Sequence, residues 1–177
     1  MKLVILDRDG TINEDSDEYI KSPAEWRPIR GSLEGIARLT HADYRVVIAT
    51  NQSGIARGLF DTRTLFAIHD TMLRALAQLG GRIDAFFFCP HAADERCPCR
   101  KPQPGMLVEI GRRFNVGLET VSMVGDARRD LEAAAAAGAR PVLVLTGKGT
   151  QTRDEGRLPA GTRVFPDLAA FAAHLAP

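Results

Sequence analysis

Five side chains that are suited to phosphate chemistry are spread along the chain. They are Asp7 and Asp9 in "LDRDGTI", Thr50 in "IATNQSG", Lys101 in "CRKPQ" and Asp126 in "MVGD". Clustered carboxylates require a hard cation, and Mg²⁺ typically takes one or two of them together with waters and a substrate phosphate. A lysine ammonium and a hydroxyl group can hold the phosphate oxygens. With this neutralisation, one aspartate could attack phosphorus to form an aspartyl-phosphate, and a second carboxyl could supply and take up the proton.

Each of these motifs also has a structural interpretation when it is taken alone. Asp-x-Asp-Gly is typical of a turn or of a calcium-type loop, and a lysine before Pro102 is an ordinary extended residue. Gly125-Asp126 after a strand is typical of a helix cap. Only the occurrence of all these motifs in one chain, with their candidate residues near the ends of predicted strands, indicates a catalytic site.

Short apolar runs alternate with segments of helical periodicity along the whole chain. The apolar runs predict strands at residues 2–6, 44–50, 83–89, 120–126 and 140–146, with a further short run "TRVF" at 162–165. The periodic segments predict helices at residues 32–43, 61–79, 104–114 and 129–139, with a last helix from about 167. The polar segment 147–161 has neither pattern. The alternation predicts an α/β fold, a three-layer α/β/α Rossmann-like core with a central parallel sheet.

The candidate residues fall at the ends of the predicted strands. In open α/β sheets, ligands bind beyond the carboxyl ends of the strands. Asp7, Thr50 and Asp126 each end or follow a predicted strand, and Lys101 precedes the helix that leads to the fourth one. We therefore expect these side chains to converge on one edge of the sheet.

The cysteines form a second candidate site. All three lie with a histidine in "CPHAADERCPC", as Cys89, His91, Cys97 and Cys99. Thiolate and imidazole are the ligands that Zn²⁺ favours, and four of them complete a tetrahedron with no open position. We therefore predict a structural Zn²⁺ that orders this loop and positions the adjacent Arg100 and Lys101. The alternative interpretation is a set of buried free thiols beside a surface histidine.

Length and composition are those of one globular domain over residues 1–177. Hydrophobic residues make up 45% and charged residues 25%, and the formal net charge of +1 gives no general attraction to nucleic acid or membrane. No apolar stretch approaches the roughly 20 residues that cross a bilayer, and "MKLVILDRDG" does not have the form of a signal peptide. We expect a cytoplasmic monomer.

The intervals between the candidate residues leave no room for a large cap domain, so loops 13–29, 53–59 and 89–99 would select the substrate. An open site could also admit a phosphorylated peptide or a nucleic-acid end.

Four motifs carry a resemblance to a known superfamily. "LDRDGTI", "VVIATNQSGIARG", "CRKPQPGM" and "MVGDARRD" resemble, in the same order, the four motifs of the haloacid dehalogenase (HAD) phosphatases. Within that superfamily, these motifs and the Cys/His loop are similar to those of the D-glycero-D-manno-heptose 1,7-bisphosphate 7-phosphatases. The resemblance implies a Mg²⁺-dependent sugar bisphosphate phosphatase that acts in ADP-heptose and lipopolysaccharide core biosynthesis. The related histidinol-phosphate phosphatases share the motifs and remain an alternative, and a catalytically inactive zinc-loop interaction module is an alternative of another class.

The resemblance also implies a role for each residue. Asp7 is the nucleophile and Asp9 the general acid and base, while Thr50 and Lys101 stabilise the transferring phosphoryl group. Mg²⁺ is held by Asp7, Asp126 and the backbone carbonyl of Asp9. Asp130, in the fourth motif, is expected to support these ligands without binding the ion. The residues expected to contact the substrate are Asp15, Ser16, Asp17, Glu18, Asn51, Gln52, Ser53 and Arg100.

Overall fold

The computed structural model describes every residue from Met1 to Pro177. Six strands pair in parallel to form one sheet, and they are β1 (Lys2–Leu6), β2 (Tyr44–Asn51), β3 (Ala85–Cys89), β4 (Ser122–Gly125), β5 (Arg140–Val144) and β6 (Arg163–Phe165). The helices are α1 (Ser32–His41), α2 (Thr62–Ala77), α3 (Gly105–Phe114), α4 (Arg128–Ala136), α5 (Gly149–Asp154) and α6 (Leu168–Leu175). The strands lie in the order β3-β2-β1-β4-β5-β6. The predicted fold class, a parallel sheet in an α/β core, is confirmed.

Both faces of the central strands are buried, which is why those strands are continuous apolar runs. Successive side chains of a strand point to opposite faces. On β1, Val4 and Leu6 join one hydrophobic cluster, which includes side chains of α1, α2 and α6. Leu3 and Ile5 join a second cluster, which includes side chains of α3 and α4. The sheet therefore lies between two helical layers, as the sequence predicts.

The predicted boundaries differ from the structure mainly at helix ends. Asp61 is the N-cap of α2 and not its first residue, because its side chain accepts a hydrogen bond from the backbone N–H of Thr64 at 2.8 Å. Pro104 likewise precedes α3 as its N-cap. The third strand begins at Ala85 and not at residue 83.

One helix lies in the polar segment that shows no pattern in the sequence. Helix α5 covers only six residues, "GTQTRD", with no apolar stripe. It is fixed by a tertiary contact that periodicity cannot indicate, since the buried Thr152 hydroxyl donates a hydrogen bond to the backbone carbonyl of Asp126 at 2.9 Å. This contact ties α5 to the end of β4.

The connections at the candidate site are short. Between β1 and β2 lie a loop, a 3₁₀ turn at Pro23–Glu25 and α1, and between β2 and β3 lies α2. Neither interval contains a cap domain, as expected. No helix in the structure combines the length and the apolar character that crossing a bilayer would require.

Candidate active site and metal centres

The sheet order brings three of the predicted residues to one edge. Strand β1 lies between β2 and β4, so their carboxyl ends are neighbours. Asp7 directly follows β1, Thr50 lies near the end of β2, and Asp126 follows β4. The backbone N–H of Asp7 donates to the carbonyl of Val124 at 2.8 Å, which continues the β1–β4 pairing up to the site. The expected convergence is therefore present.

A fully buried lysine links two of the carboxylates. The ammonium of Lys101 lies 2.8 Å from Asp7 Oδ1 and 2.6 Å from Asp130 Oδ1. It also donates to the backbone carbonyl of Ala49 at 2.7 Å, so two carboxylates and one carbonyl surround the ammonium. Burial opposes the charge, but Asp130 and Asp7 hold the pKa of Lys101 above its usual range. The lysine is thus a fixed positive charge behind the predicted nucleophile.

Asp126 lies beside this pair with an unused oxygen. Its Oδ2 accepts a hydrogen bond from the backbone N–H of Lys148 at 2.7 Å, while its buried Oδ1 has no hydrogen-bond partner. Burial and then the charges of Asp130 and Asp7 raise the pKa of Asp126 to about 8. Burial and the charge of Asp130 raise the pKa of Asp7 to about 6, against the opposing charges of Lys101 and Arg129.

These three carboxylates fit a divalent cation. Asp7, Asp126 and Asp130 each offer an oxygen, and the three oxygens lie within 4.8 Å of one another. Carboxylate oxygens suit the hard ion Mg²⁺. The Oδ1 atom of Asp126 has no hydrogen-bond partner, so it is free to bind the ion. Asp130 is already engaged, since its Oδ2 accepts from the backbone N–H of Ala127 at 3.1 Å and its Oδ1 meets Lys101. This arrangement favours the expected supporting role for Asp130.

A glycine allows the carboxylates to approach the β1 loop. Gly10 has a φ of +79°, a backbone conformation that residues with a Cβ rarely adopt. A Cβ at this position would also overlap the carboxylate of Asp126. The glycine of "DRDG" is therefore required by both the turn and the packing of the site.

Asp9 is held by five hydrogen bonds from its neighbours, one of which runs from Arg8 NH2 to Oδ2 at 3.1 Å. Arg8 donates to it from Nε at 3.0 Å and from NH2 at 2.8 Å, Asn13 donates at 3.0 Å, and Gln52 donates to Oδ2 at 2.9 Å. Burial acts to raise the pKa of Asp9, but the Arg8 charge and these hydrogen bonds hold it below its usual range. Arg8 and Asn13 were not assigned roles from the sequence, although both lie within "DRDGTIN".

A polar cavity of about 250 Å³ opens above these groups. The predicted residues that line it are Asp7, Asp9, Asp15, Ser16, Asp17, Thr50, Asn51, Gln52, Ser53 and Arg100. Lys101 and Asp126 are buried beneath it. Glu18 does not line the cavity, because it lies in a turn in which its backbone N–H donates to Ser16 Oγ at 3.1 Å, and its side chain is exposed.

Two cations that the sequence analysis missed also line the cavity. Arg129 is partly buried and its Nε has no hydrogen-bond partner, so it is available to an anion. The Lys148 ammonium lies 3.2 Å from Asp17 and 3.6 Å from Asp15, at the edge of the cavity. Arg129 is visible in "MVGDARRD", but nothing in the periodicity places Lys148 at this edge.

A larger groove of about 1120 Å³ lies between α1 and α6, and it contains none of the candidate residues. It has no cluster of carboxylates and cations comparable to the one around Asp7. We therefore place the site at the smaller cavity.

The four residues of the Cys/His loop come together as predicted. Cys89 Sγ lies 3.2 Å from Cys99 Sγ and 3.5 Å from Cys97 Sγ, and the three thiols are not paired as disulfides. The Nδ1 atom of His91 lies 3.4 Å from Cys89 Sγ and 3.3 Å from Cys99 Sγ. Ligands bound about 2.3 Å from one tetrahedral Zn²⁺ have separations of this order, so the cluster could hold zinc.

The Cys/His loop and the end of β2 hold the backbone segment that carries Arg100 and Lys101. The Arg100 guanidinium donates to the carbonyl of His91 at 3.3 Å. Asn51 and Lys101 exchange two hydrogen bonds, each of 3.0 Å, between the amide side chain and the backbone. Asn51 therefore holds the backbone of Lys101 in addition to lining the cavity.

The comparisons with known proteins agree with this geometry. A family model described as HAD-hydrolase-like matches residues 98–171. The chain is 62% identical over 175 residues to the D-glycero-β-D-manno-heptose-1,7-bisphosphate 7-phosphatase of Bordetella bronchiseptica, covering 99% of this chain and 98% of that protein. It is 54% identical over 175 residues to the enzyme of the same name from Pseudomonas putida, covering 99% of each.

Solved structures show the same similarity. The crystal structure of D,D-heptose 1,7-bisphosphate phosphatase from B. bronchiseptica, complexed with magnesium and phosphate, matches with a TM-score of 0.98 over 99% of this chain and 98% of that one, at 62% identity. The corresponding enzyme from Burkholderia thailandensis matches with a TM-score of 0.78 over 99% and 98%, at 52% identity. This chain therefore belongs to the D-glycero-β-D-manno-heptose-1,7-bisphosphate 7-phosphatase family, within the HAD-like hydrolases.

Proposed function

We propose that the protein is a Mg²⁺-dependent phosphatase that removes the C7 phosphate of D-glycero-D-manno-heptose 1,7-bisphosphate. The product would enter the synthesis of the ADP-heptose used for lipopolysaccharide core. The relatives at 62% and 54% identity carry this activity in their names, which specify the β-anomer. The observation that carries the proposal is the buried group of Asp7, Asp126 and Lys101 at the floor of a polar cavity.

The first chemical step is assigned to Asp7. One of its oxygens is occupied by Lys101, and a carboxylate oxygen attacks the phosphorus as the bond between phosphorus and the C7 oxygen breaks. An alkoxide is a poor leaving group, so Asp9 protonates the departing oxygen. Because the pKa of Asp9 is held below its usual range, Asp9 takes this proton from a monoanionic phosphate ester as the ester binds. The result is an aspartyl-phosphate on Asp7 and a free sugar hydroxyl.

In the second step a water molecule attacks the aspartyl-phosphate. Asp9, now ionised, takes a proton from that water, and the bond between Asp7 and phosphorus breaks. Inorganic phosphate leaves with the proton that Asp9 took up, and both aspartates return to their starting protonation states. Asp7, Asp126 and the backbone carbonyl of Asp9 would hold the Mg²⁺, which when bound offsets the repulsion between the carboxylates and the phosphate dianion.

The other polar groups are proposed to hold the phosphate and the sugar. Thr50 Oγ1 accepts a hydrogen bond from Gln52 Nε2 at 2.9 Å, which leaves its hydroxyl proton available to a phosphate oxygen. Lys101 opposes the charge that develops on the transferring group. Asp15, Ser16, Asp17, Asn51, Ser53 and Arg100 line the cavity in which the sugar would lie. Glu18 does not line the cavity in the free protein, and its predicted contact with the substrate remains to be tested.

The test is release of inorganic phosphate with Mg²⁺ present, measured in parallel on the heptose bisphosphate and on histidinol phosphate. We expect a large preference in kcat/KM for the heptose bisphosphate, with loss of the C7 phosphate only. We expect Asp7→Asn to remove essentially all turnover while the circular dichroism spectrum stays unchanged. A preference for histidinol phosphate would overturn the substrate, and an active Asp7→Asn variant would overturn the nucleophile.

The same proposal includes a single-domain monomer that acts in the cytoplasm. Neither nucleic acid nor a membrane is expected as a partner, and the net charge of +1 supports this by giving no general attraction to polyanions. Size-exclusion chromatography with light scattering tests the monomer, and fractionation of cells that express the tagged chain tests the compartment.

A further inference from the structure

Arg8 makes a contact that the proposed mechanism does not use. Its guanidinium is completely buried, and it donates from Nε and NH2 to the carboxylate of Asp9. Its third nitrogen, NH1, points the other way and lies 3.4 Å from Nε2 of His69. A guanidinium is a rigid planar group, so a contact at NH1 also constrains the nitrogens that hold Asp9.

His69 is built into the core as an acceptor for this contact. It lies on α2, is only 3% exposed, and stacks on Phe86 of β3 with ring centroids 4.2 Å apart and an angle of 12° between the rings. Burial and the neighbouring charge of Arg8 lower the pKa of His69 to about 3, so the ring is neutral at pH 7. A neutral imidazole has one acceptor nitrogen, and the nitrogen that faces Arg8 must be that acceptor.

We propose that His69 is a positioning residue for Asp9, acting through the guanidinium of Arg8. The stacked ring fixes NH1, the fixed guanidinium holds the Asp9 carboxylate, and Asp9 then delivers its proton to the leaving oxygen. This inference rests on the proposed function, in which Asp9 is the general acid and base. His69 does not line the cavity, so it acts without touching the substrate.

The competing explanation is that His69 only fills space between α2 and β3. An apolar ring of similar size would then replace it without consequence for the chemistry. If His69 positions Arg8, the same replacement leaves a buried N–H donor without its acceptor and releases the guanidinium to turn. Asp9 would keep its bonds to Asn13 and Gln52 but lose the orientation set by Arg8.

Two substitutions separate these explanations. His69→Phe keeps an aromatic ring on Phe86 and removes the acceptor, whereas His69→Gln supplies an amide oxygen that can accept from Arg8. Circular dichroism and thermal unfolding confirm that each variant is folded, and His69→Leu takes the place of His69→Phe if that variant is not. Phe86→Leu is the matched packing control, since it loosens the stack and keeps the acceptor.

The measured quantity is how strongly the rate of the first chemical step depends on the leaving group. A sugar phosphate loses a poor alkoxide and needs the Asp9 proton, whereas 4-nitrophenyl phosphate loses a stable phenolate and does not. Single-turnover rates with enzyme in excess, followed as release of the sugar or of 4-nitrophenolate, report only the step that forms the aspartyl-phosphate. For His69→Phe we expect a roughly tenfold to hundredfold loss on the sugar phosphate, the range that a misplaced catalytic group causes, with the aryl phosphate rate nearly unchanged.

The outcomes distinguish the two proposals. A selective loss in His69→Phe, smaller in His69→Gln and in Phe86→Leu, which both keep an acceptor for Arg8, supports the positioning role. Equal losses on both substrates, or no loss, overturn it. If the wild type hydrolyses other alkyl phosphates but not the heptose bisphosphate, the proposed substrate is wrong, and the comparison is then made on the alkyl phosphate that it does hydrolyse.

Discussion

Lys101 is the residue whose removal should change both stability and turnover most strongly. Its ammonium lies 2.8 Å from Asp7 and 2.6 Å from Asp130, and the three side chains are no more than 4% exposed. Replacing it with methionine keeps the length of the side chain and removes the only cation in direct contact with these carboxylates. Breaking a buried ion pair by removing one partner typically costs about 3–5 kcal/mol. We expect a loss of this size in the free energy of unfolding of Lys101→Met.

The assay is urea unfolding followed by circular dichroism in Mg²⁺-free buffer. Lys148→Met is the matched control, because Lys148 meets Asp15 and Asp17 on the surface with a side chain that is 45% exposed, and such a pair contributes less than about 1 kcal/mol. Adding Asp130→Asn to Lys101→Met removes one of the stranded charges and should restore about 1 kcal/mol or more.

Turnover by Lys101→Met should fall about 10²-fold to 10³-fold, the loss typical of removing one stabilising group from the transferring oxygens. The reasoning is refuted if Lys101→Met is no less stable than Lys148→Met. It is also refuted if Asp130→Asn destabilises the Lys101→Met protein further, since the carboxylate would then be stabilising without its cation.

Three further predictions concern other parts of the structure. The folded state holds the pKa of His69 near 3, below its ordinary value of 6.5, so the unfolded chain binds the extra proton first and stability falls as the pH drops below 6.5. Unfolding at pH 6.5 and 5 should show this loss as a decrease in the stability of wild type relative to His69→Phe, up to about 1.4 kcal/mol per pH unit, because the raised pKa values of Asp7 and Asp126 stabilise both proteins as the pH falls. Cys97→Ser should reduce the zinc content measured by mass spectrometry and lower kcat about tenfold, with the Mg²⁺ concentration for half-maximal activity little changed; full zinc occupancy would contradict the ligand set. Gly10→Ala should lower the melting temperature and reduce Mg²⁺-dependent activity, because the turn has positive φ and a Cβ would meet Asp126; unchanged activity would show that the turn adapts.

The strand ends could be predicted because two simple rules combine there. Apolar runs identify the strands, and the carboxyl-end rule then places Asp7, Thr50 and Asp126 together without knowledge of their distances. The Cys/His loop was predictable for a similar reason, since its four ligands are close in sequence. Each of these inferences needs only local patterns and the fold class.

The contacts that the sequence did not reveal depend on the order of the strands. His69 is 61 positions from Arg8 in the chain. The two meet only because β3 lies beyond β2 and α2 packs over that side of the sheet, so no sequence pattern indicates a site role for His69. Lys148 reaches the cavity from the loop after β5, between two glycines, where no periodic pattern exists. Glu18 remains a prediction from the sequence, since its side chain is exposed and does not line the cavity.

The two metal centres are coupled through a short piece of backbone. Lys101 has no helix or strand of its own, since it lies between the ligand Cys99 and the start of α3 at Gly105. On one side the backbone N–H of Gly105 donates to the carbonyl of Pro98 at 3.0 Å, which closes the segment on the metal loop.

On the other side of that segment, Asn51 holds the backbone of Lys101 from the end of β2. Fixing a lysine side chain costs up to about 2 kcal/mol in lost conformational entropy. An unanchored loop would add the entropy cost of ordering its backbone. We expect zinc binding at the Cys/His loop to order that backbone before substrate arrives. The ammonium of Lys101 meets Asp7 at 2.8 Å in this position, and we expect the predicted structural Zn²⁺ to contribute to catalysis by holding it there.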